Sequence, residues 1–504
     1  MTPAQLKQQL SEQYSLVCFE DFAKLTQHTS FLYEILQQYH QVAYQPDQKL
    51  VFYTQHQVNL NQLCHLQLAA SLIDISNSFI MICSPYDLAS QLETANQQHG
   101  HDHNVIECKI VDLDSTELLF TEVISLDTLC PLPWMHLEVG NMGYLHTCCL
   151  TSESLGHVQQ DQIQDIFHGT AMQNIRSQML RGEKPDSCQH CWKQESYGQR
   201  SPRQGHLAMY QKDLLSSYLH APKIRSLDIK LGNTCNFKCK ICSKYFSSQF
   251  ASEDLKYAST PQQVSEIRRV IDLGKWYESD HHVLDQLDTI WPELLNLDII
   301  GGEPFLLKQL VDLLGRVAKS AHSEHIRLRF NTNGSVFPTN LIDTLSSFRL
   351  VDIGISIDNI GQKFEIERGG VWDDIQSNIQ QFLLLDRKKF RVYVLCTVNI
   401  QNVLDLDEIY QWGDQTGIDI VFNLLDRPDY LSIDNLTAEG QKLVVSKYQH
   451  SDRPELRAIA AQVANSLGSD GVAFVAAMKQ FDQRRQQNFI LSHNAIAIAM
   501  GFTV

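Results

Sequence analysis

A chain of 504 residues is too long for one hydrophobic core, so it divides into several domains. Its 41 Lys and Arg against 58 Asp and Glu leave a formal charge of −17, which excludes a general binder of nucleic acid or of anionic membrane surfaces. No apolar run approaches the roughly 18 residues of a membrane span, and the opening MTPAQLKQQLSEQYS lacks the pattern of an export signal, so a cytoplasmic protein is expected.

Residues 1–117 read as a small α/β domain. KLVFYTQ (49–55) and FIMICSP (79–85) are apolar, β-rich runs, and the stretch between them sets Leu60, Leu63, Leu66, Ala70 and Ile73 on one helical stripe. DLASQLETANQQHG then reads as a helix stopped by glycine. Residues 118–205 are turn-rich. Within them, TAMQNIRSQMLRG places Met172, Ile175 and Met179 on one helical face, and Gly182 ends the run.

From 206 to 440 strands alternate with helices. The strands are IRSLDIKL (224–231), NLDII (296–300), IRLRFN (326–331), VDIGISI (351–357), RVYVLCTV (391–398) and DIVFNLL (419–425). Near-continuous apolar strands separated by helices mean a parallel sheet, covered on both faces or curled into a barrel. Six such units predict an α/β fold with a partial, TIM-like (β/α)6 barrel, whose chemistry belongs at the C-terminal ends of its strands. RAIAAQVANSL and GVAFVAAMKQF make 441–504 a helical tail without a chemical motif.

Thirteen cysteines, odd in number and clustered, argue for reduced thiols and metal ligation rather than a disulfide framework. Cys18, Cys64, Cys83, Cys108 and Cys396 have apolar neighbours and read as small core residues. His99, His101 and His103 in HGHDH read as a solvated loop, and no histidine is assigned as a ligand.

LGNTCNFKCKIC puts Cys235, Cys239 and Cys242 just past the first barrel strand as C-x3-C-x2-C. One short loop can wrap three irons of a [4Fe–4S] cube and leave the fourth iron open to a small molecule. The competing readings are a zinc site that borrows a distant fourth ligand and three incidental thiols. NLDIIGGEPFL then sets Gly301, Gly302, Glu303 and Pro304 at the end of the second strand, where glycines let the backbone approach a ligand and a carboxylate can hold an ammonium group.

Together these motifs resemble the radical S-adenosylmethionine (SAM) superfamily. The resemblance implies that SAM binds the open iron through its methionine moiety, with its amino group on the GGEP turn. Ile241 stands where an aromatic residue is often found before the third cysteine. By the same resemblance Asn333 in FNTNG, Ser356 in SIDN and Arg368 in IERGG lie near the ribose or the methionine carboxylate, and Asn399 reaches the adenine or ribose. Asn359 stands where relatives often carry glycine.

Upstream, Cys130 and the adjacent Cys148 and Cys149 precede a C-x2-C formed by Cys188 and Cys191. The segment resembles the twitch domain, a shortened SPASM domain. The match covers the Pro-Trp after the first cysteine, the Arg176 to Glu183 stretch, and Glu195, Gly198, Ser201 and Arg203. Cys130, Cys148, Cys188 and Cys191 suffice for one auxiliary [4Fe–4S] cluster. Cys149 is an alternative to Cys148, and a four-cysteine zinc ribbon is the competing reading.

The resemblance therefore implies an enzyme that cleaves SAM reductively and abstracts hydrogen from a substrate. A ribosomally made peptide is the first expectation, a small metabolite such as a sugar or amino-acid derivative the second, and a non-catalytic two-cluster scaffold the third. An electron donor such as a flavodoxin or ferredoxin is required. Lys238, Lys240 and Lys244 suggest a basic patch on which an acidic donor docks.

Overall fold

The computed structural model describes residues 127–503 apart from 152, 197–199, 215–220 and 279–280, together with the backbone of five upstream strands. The chain falls into two compact units. One comprises Met1–Glu138, Leu145–Gly156 and Asp161–Arg225; the other comprises Val139–Tyr144, His157–Gln160 and Ser226–Val504.

In the first unit the upstream strands β1 (Ser15–Cys18), β2 (Leu50–Thr54), β3 (Phe79–Cys83), β4 (Val105–Asp112) and β5 (Leu118–Ser125) form a sheet in chain order. The first pair is parallel and the others are antiparallel. The strands expected at 49–55 and 79–85 are β2 and β3. The Leu60 to Ile73 stripe, the helix after it, the HGHDH loop and the side chains of Cys18, Cys64, Cys83 and Cys108 lie outside the described residues. Further along, α1 (Thr170–Leu180), α2 (Gln189–Ser196) and α3 (Pro202–Asp213) follow one another. Met172, Ile175 and Met179 are the buried face of α1, as their spacing predicts, and Gly182 behind it takes φ +76°.

The second unit is built on six parallel strands in chain order: β6 (Ser226–Lys230), β7 (Asn296–Ile300), β8 (Arg327–Thr332), β9 (Leu350–Ser356), β10 (Phe390–Val398) and β11 (Asp419–Leu424). All six coincide with the apolar runs of the sequence. Between them run α4 (Ser248–Tyr257), α5 (Lys308–Lys319), α6 (Gly361–Arg368), α7 (Trp372–Leu383) and α8 (Leu406–Thr416). Alternation within the strands separates two faces. Leu297, Ile299, Leu328, Phe330 and Ile353 are fully buried, as are Leu310, Leu313 and Leu314 of α5 and Ile379 and Phe382 of α7. Phe305 links the layers, its ring 4.9 Å from Phe330 and 6.3 Å from Phe382.

The opposite face carries charge. Asp228, Asp298, Arg329, Asp352 and Arg391 pair residue by residue across five neighbouring strands, a single row at one height. Arg329 bonds Asp298 at 2.5 Å, and Arg327, one pleat below, pairs with Asp352. The tail is helical as expected: α9 (Ala438–Tyr448), α10 (Pro454–Asn465), α11 (Val472–Arg485), α12 (Phe489–Ser492) and α13 (Asn494–Ala499). Among the described residues, no helix is long and apolar enough to cross a membrane.

Candidate functional site

The strand ends of the second unit bring most of the sequence-predicted residues together. Gly301 and Gly302 follow β7 with φ of +94° and +53°. A Cβ on Gly302 would stand 2.2 Å from the Thr234 carbonyl oxygen, and the Glu303 N–H donates to that same oxygen at 2.8 Å. The two glycines therefore let the strand end close directly onto the start of the cysteine loop. Gly302 makes its close approach to Thr234, and Gly301 makes its own to Lys230.

Glu303 is fully buried. Its carboxylate accepts from the Thr332 hydroxyl at 2.7 Å, the Asn333 N–H at 2.6 Å and the Phe305 N–H at 3.2 Å. Burial outweighs the three hydrogen bonds, which oppose it, and leaves this carboxyl raised to about 7. Asn333 donates to the Asn236 side chain at 2.8 Å and lies 3.8 Å from the Cys235 sulfur, so the end of β8 touches the cysteine loop.

Within that loop the Phe237 N–H approaches the Cys235 sulfur at 3.4 Å, and the Cys242 N–H donates to the Cys239 carbonyl. Phe237 lies flat against Gly370, where a Cβ would come within 2.3 Å of the ring. Burial pushes Cys235 up to about 11, Cys242 up to about 12 and Cys239 above its ordinary value. The positive charge of the Arg368 guanidinium pulls all three in the opposite direction. Arg368 ends α6, is 6% exposed and pairs with Asp358; its Nε has no partner. Among the described residues no three His, Cys, Asp or Glu side chains converge on a single-ion site.

Ser356 is the last residue of β9 and half-buried. Asn399 is fully buried and folds back on its own turn, donating to the Thr397 carbonyl and accepting from the Gln401 N–H, both at 2.9 Å. Asn359 is a node that its sequence position did not announce. Its amide bridges Glu367 at 2.8 Å and Asp405 at 2.9 Å.

The basic patch around the cysteine loop is not a patch. Lys240 is fully buried, its ammonium 5.4 Å from the Phe489 ring centroid. Lys238 bonds Glu253 at 2.6 Å and Lys244 bonds Glu266 at 2.8 Å. Two of the three charges are neutralised by carboxylates of neighbouring helices and the third is removed from solvent, which the loop sequence alone does not reveal.

A cavity of about 650 Å³ runs along the charged face of the sheet, from Leu385 and Arg387 past Arg329, Asp352 and Arg391 to Asn331, Leu395 and Asn423. The cysteines and the GGEP turn do not line it.

The first unit holds a second thiol cluster. Cys130, Cys148 and Cys188 pack with Leu129, Trp134, Met135 and Met179. Burial pushes Cys130 up to about 12 and Cys188 up to about 11 and raises Cys148 and Cys191, and neighbouring sulfurs add to the shift in Cys130, Cys148 and Cys188. Cys149 is exposed. Of the adjacent pair, it is Cys148 that turns inward. Arg203 grips Glu195 through two nitrogens at 2.9 and 2.8 Å, donates to the Leu129 carbonyl at 2.7 Å and covers the Trp192 ring. Ser201 adds a 2.5 Å bond to the same carboxylate. Burial pushes Glu195 up, but Arg203 and Ser201 outweigh it and hold the carboxyl below its ordinary value. Arg176 donates to the carbonyls of Pro133 and Phe167, both at 2.8 Å. Gly198 lies outside the described residues.

Residues 229–412 match the family model of the radical SAM superfamily, and residues 130–192 match the SPASM model, an iron–sulfur cluster-binding domain. The chain thus carries a radical SAM region and an iron–sulfur region, and the two matches imply a [4Fe–4S] cluster with SAM in the first and auxiliary iron–sulfur in the second. Among solved structures it is similar to native anSMEcpe with bound AdoMet and Cp18Cys peptide, at 16% identity over 44% of this chain and 58% of that one, with a TM-score of 0.30. It is also similar to Streptococcus suis SuiB bound to precursor peptide SuiA, at 12% identity over 76% and 70%, with a TM-score of 0.29. The chain spans about 58% to 64% of the length of the anSMEcpe chains it resembles. No curated protein matches it.

Proposed function

We propose that the chain is a radical SAM enzyme in which Cys235, Cys239 and Cys242 hold the [4Fe–4S] cluster that binds SAM. In this reading Cys130, Cys148, Cys188 and Cys191 hold one auxiliary [4Fe–4S] cluster. The observation that carries it is the meeting, at the ends of adjoining parallel strands, of three thiols on one loop, one buried and two half-buried, a guanidinium whose charge acts on all of them and a buried carboxylate. The donor set fits the group: three thiolates are costly to bury together, and their metal compensates that cost. Arg368 keeps an unpartnered Nε, a donor suited to a carboxylate.

When bound, cluster and SAM supply a 5′-deoxyadenosyl radical that takes hydrogen from a substrate. The chain's own part is to orient and to exclude water. Glu303, flanked by Gly301, Gly302 and Pro304, faces the SAM ammonium. Arg368 would hold the SAM carboxylate, and Asn333 and Ser356 would lie near the ribose. Phe237, packed on Gly370, shields the loop from solvent.

A ribosomally made peptide is the substrate class we put first, supported by the likeness of residues 118–205 to twitch and SPASM domains. The cavity along β8 to β11 falls within the roughly 300–1,000 Å³ of small-molecule sites. That keeps a small metabolite as the second reading. We assign 1–117 to substrate or leader binding, 118–205 to the auxiliary cluster, 206–440 to SAM chemistry and 441–504 to a supporting tail. A flavodoxin or ferredoxin supplies the electron, docking elsewhere than on the neutralised lysines.

The test is anaerobic reconstitution with iron and sulfide, then dithionite and SAM, with 5′-deoxyadenosine measured by mass spectrometry. Wild type yields product and a Cys235→Ala, Cys239→Ala, Cys242→Ala variant yields none. Equal yields from both would sink the assignment. Deuterium transfer from candidate substrates into 5′-deoxyadenosine then separates peptide from metabolite.

A further inference from the structure

The tail, which carries no motif of its own, meets the cysteine loop through an interface that the proposed chemistry leaves unused. Lys240 stands between the second and third cysteines and is fully buried, and its Nζ has no hydrogen-bond partner. Its ammonium lies over the ring of Phe489 on α12, 5.4 Å from the centroid, and feels the charges of Asp482 and Arg485 on α11 and Glu367 on α6. Asp482 leaves one carboxylate oxygen without a partner in the same interior.

Phe489 stacks on His493 at 4.5 Å, and the His493 Nε2 lies 2.9 Å from the Glu367 carboxylate. The backbone of Glu367 in turn holds the loop, its carbonyl accepting the Lys240 N–H at 2.8 Å. Arg485 grips Glu253 at 2.9 Å, the carboxylate that also takes Lys238. The tail thus reaches the loop at Lys238 and Lys240, and reaches Glu367, the neighbour of Arg368.

We propose that the C-terminal tail is a clasp on the three-cysteine loop, with Lys240 a positioning residue that holds a buried positive charge behind Cys239. Surface lysines keep their ammonium in water. Burying one without a hydrogen bond is costly, and a cation over an aromatic face recovers only part of that cost. A fixed cation beside a [4Fe–4S] cluster favours its reduced, more negative state and so raises its reduction potential. This inference rests on the cluster assignment above.

The experiment uses the reconstituted full chain and reads the midpoint potentials of both clusters by redox titration followed by electron paramagnetic resonance. Lys240→Met keeps the length and apolar stem but not the charge; it lowers the midpoint of the loop cluster and leaves the auxiliary cluster unmoved. Lys240→Arg restores the wild-type value. An unchanged midpoint in Lys240→Met, or equal shifts in both clusters, overturns the charge role. If Lys240→Met does not fold, Lys240→Gln removes the same charge and shifts the loop cluster in the same direction; no shift there overturns it.

Hydrogen exchange on the metal-free protein tests the clasp itself. Phe489→Leu speeds exchange in residues 235–242 as well as in the tail, and faster exchange confined to the tail refutes the clasp. A wild-type chain with no more iron than the triple cysteine variant marks failure of the cluster assignment instead.

Discussion

The two thiol clusters each mix buried and half-buried cysteines but are built in opposite ways. Cys235, Cys239 and Cys242 lie on one loop, so local sequence fixes their spacing and the surroundings supply charge: Arg368 with Asp358, and Glu303 within its three hydrogen bonds. Cys130, Cys148, Cys188 and Cys191 come from separate segments, held by an apolar core and by the Arg203–Glu195–Ser201 knot. In the function proposed above, charge at the first cluster is arranged for a ligand, whereas at the second it holds the chain. A four-thiol set closes on its metal; a three-thiol set leaves a position open, and the polar groups beside it give that opening a use.

Removing one ligand from the second cluster tests that contrast most sharply. Cys148→Ala is expected to cost the chain about four of its eight irons, the content of one cube. Cys149→Ala, at the surface, keeps all of them. Iron and sulfide analysis decides, and the reverse result would reassign the ligand. Arg203→Gln comes next. It leaves the half-buried Glu195 with Ser201 but without its cation, a change worth about 1–3 kcal/mol. The auxiliary iron is then lost on mild heating while the loop cluster persists. If both clusters fell together, the two sites would not be separable as argued.

Glu303 gives the next smaller effect. Its carboxyl is raised from 4.5 to about 7 in the ligand-free protein, so below that pH it is mostly protonated. An ammonium ligand needs the carboxylate. SAM binding therefore weakens up to tenfold per unit as pH falls below about 7, and is flat above it. The sign for stability is opposite: a raised acid contributes stability below pH 4.5 that is lost as pH rises through about 7. Glu303→Gln removes the pH dependence of binding and weakens it at pH 8. Equilibrium dialysis with labelled SAM across pH 5.5 to 8 checks both, and a retained slope in the variant would point to another group.

The barrel strands were legible because each is an apolar run with a turn behind it, and the cysteine and GGEP motifs because their spacing is local. What sequence hides is register. Asp228, Asp298, Arg329, Asp352 and Arg391 are scattered over more than 160 residues and become one charged row only when five strands align. The lysines misled for a related reason, since their carboxylate partners Glu253 and Glu266 sit on later helices. The choice between Cys148 and Cys149 rests on which side chain turns inward, and a spacing rule does not carry that. The motif does not tell that Gly301 and Gly302 also pack against the chain's own Lys230 and Thr234.

The smallest effect belongs to Asn359, where relatives often have glycine. Its amide joins Glu367 to Asp405, and its carbonyl oxygen accepts the Ile360 N–H. Glycine in its place leaves Lys363 on Asp405 and His493 on Glu367, so each carboxylate keeps one partner. The loss is then about 1–2 kcal/mol, without an unpaired buried charge. At about 2–4 °C per kcal/mol, Asn359→Gly lowers the melting temperature by only a few degrees. Iron content stays at wild type because neither set of cysteines is touched. Asn359→Asp is worse than glycine, since it adds a third carboxylate between two that are already buried. Were Asn359→Gly to lose the loop cluster instead, the network through Glu367 would be holding the cysteine loop more tightly than its hydrogen bonds imply.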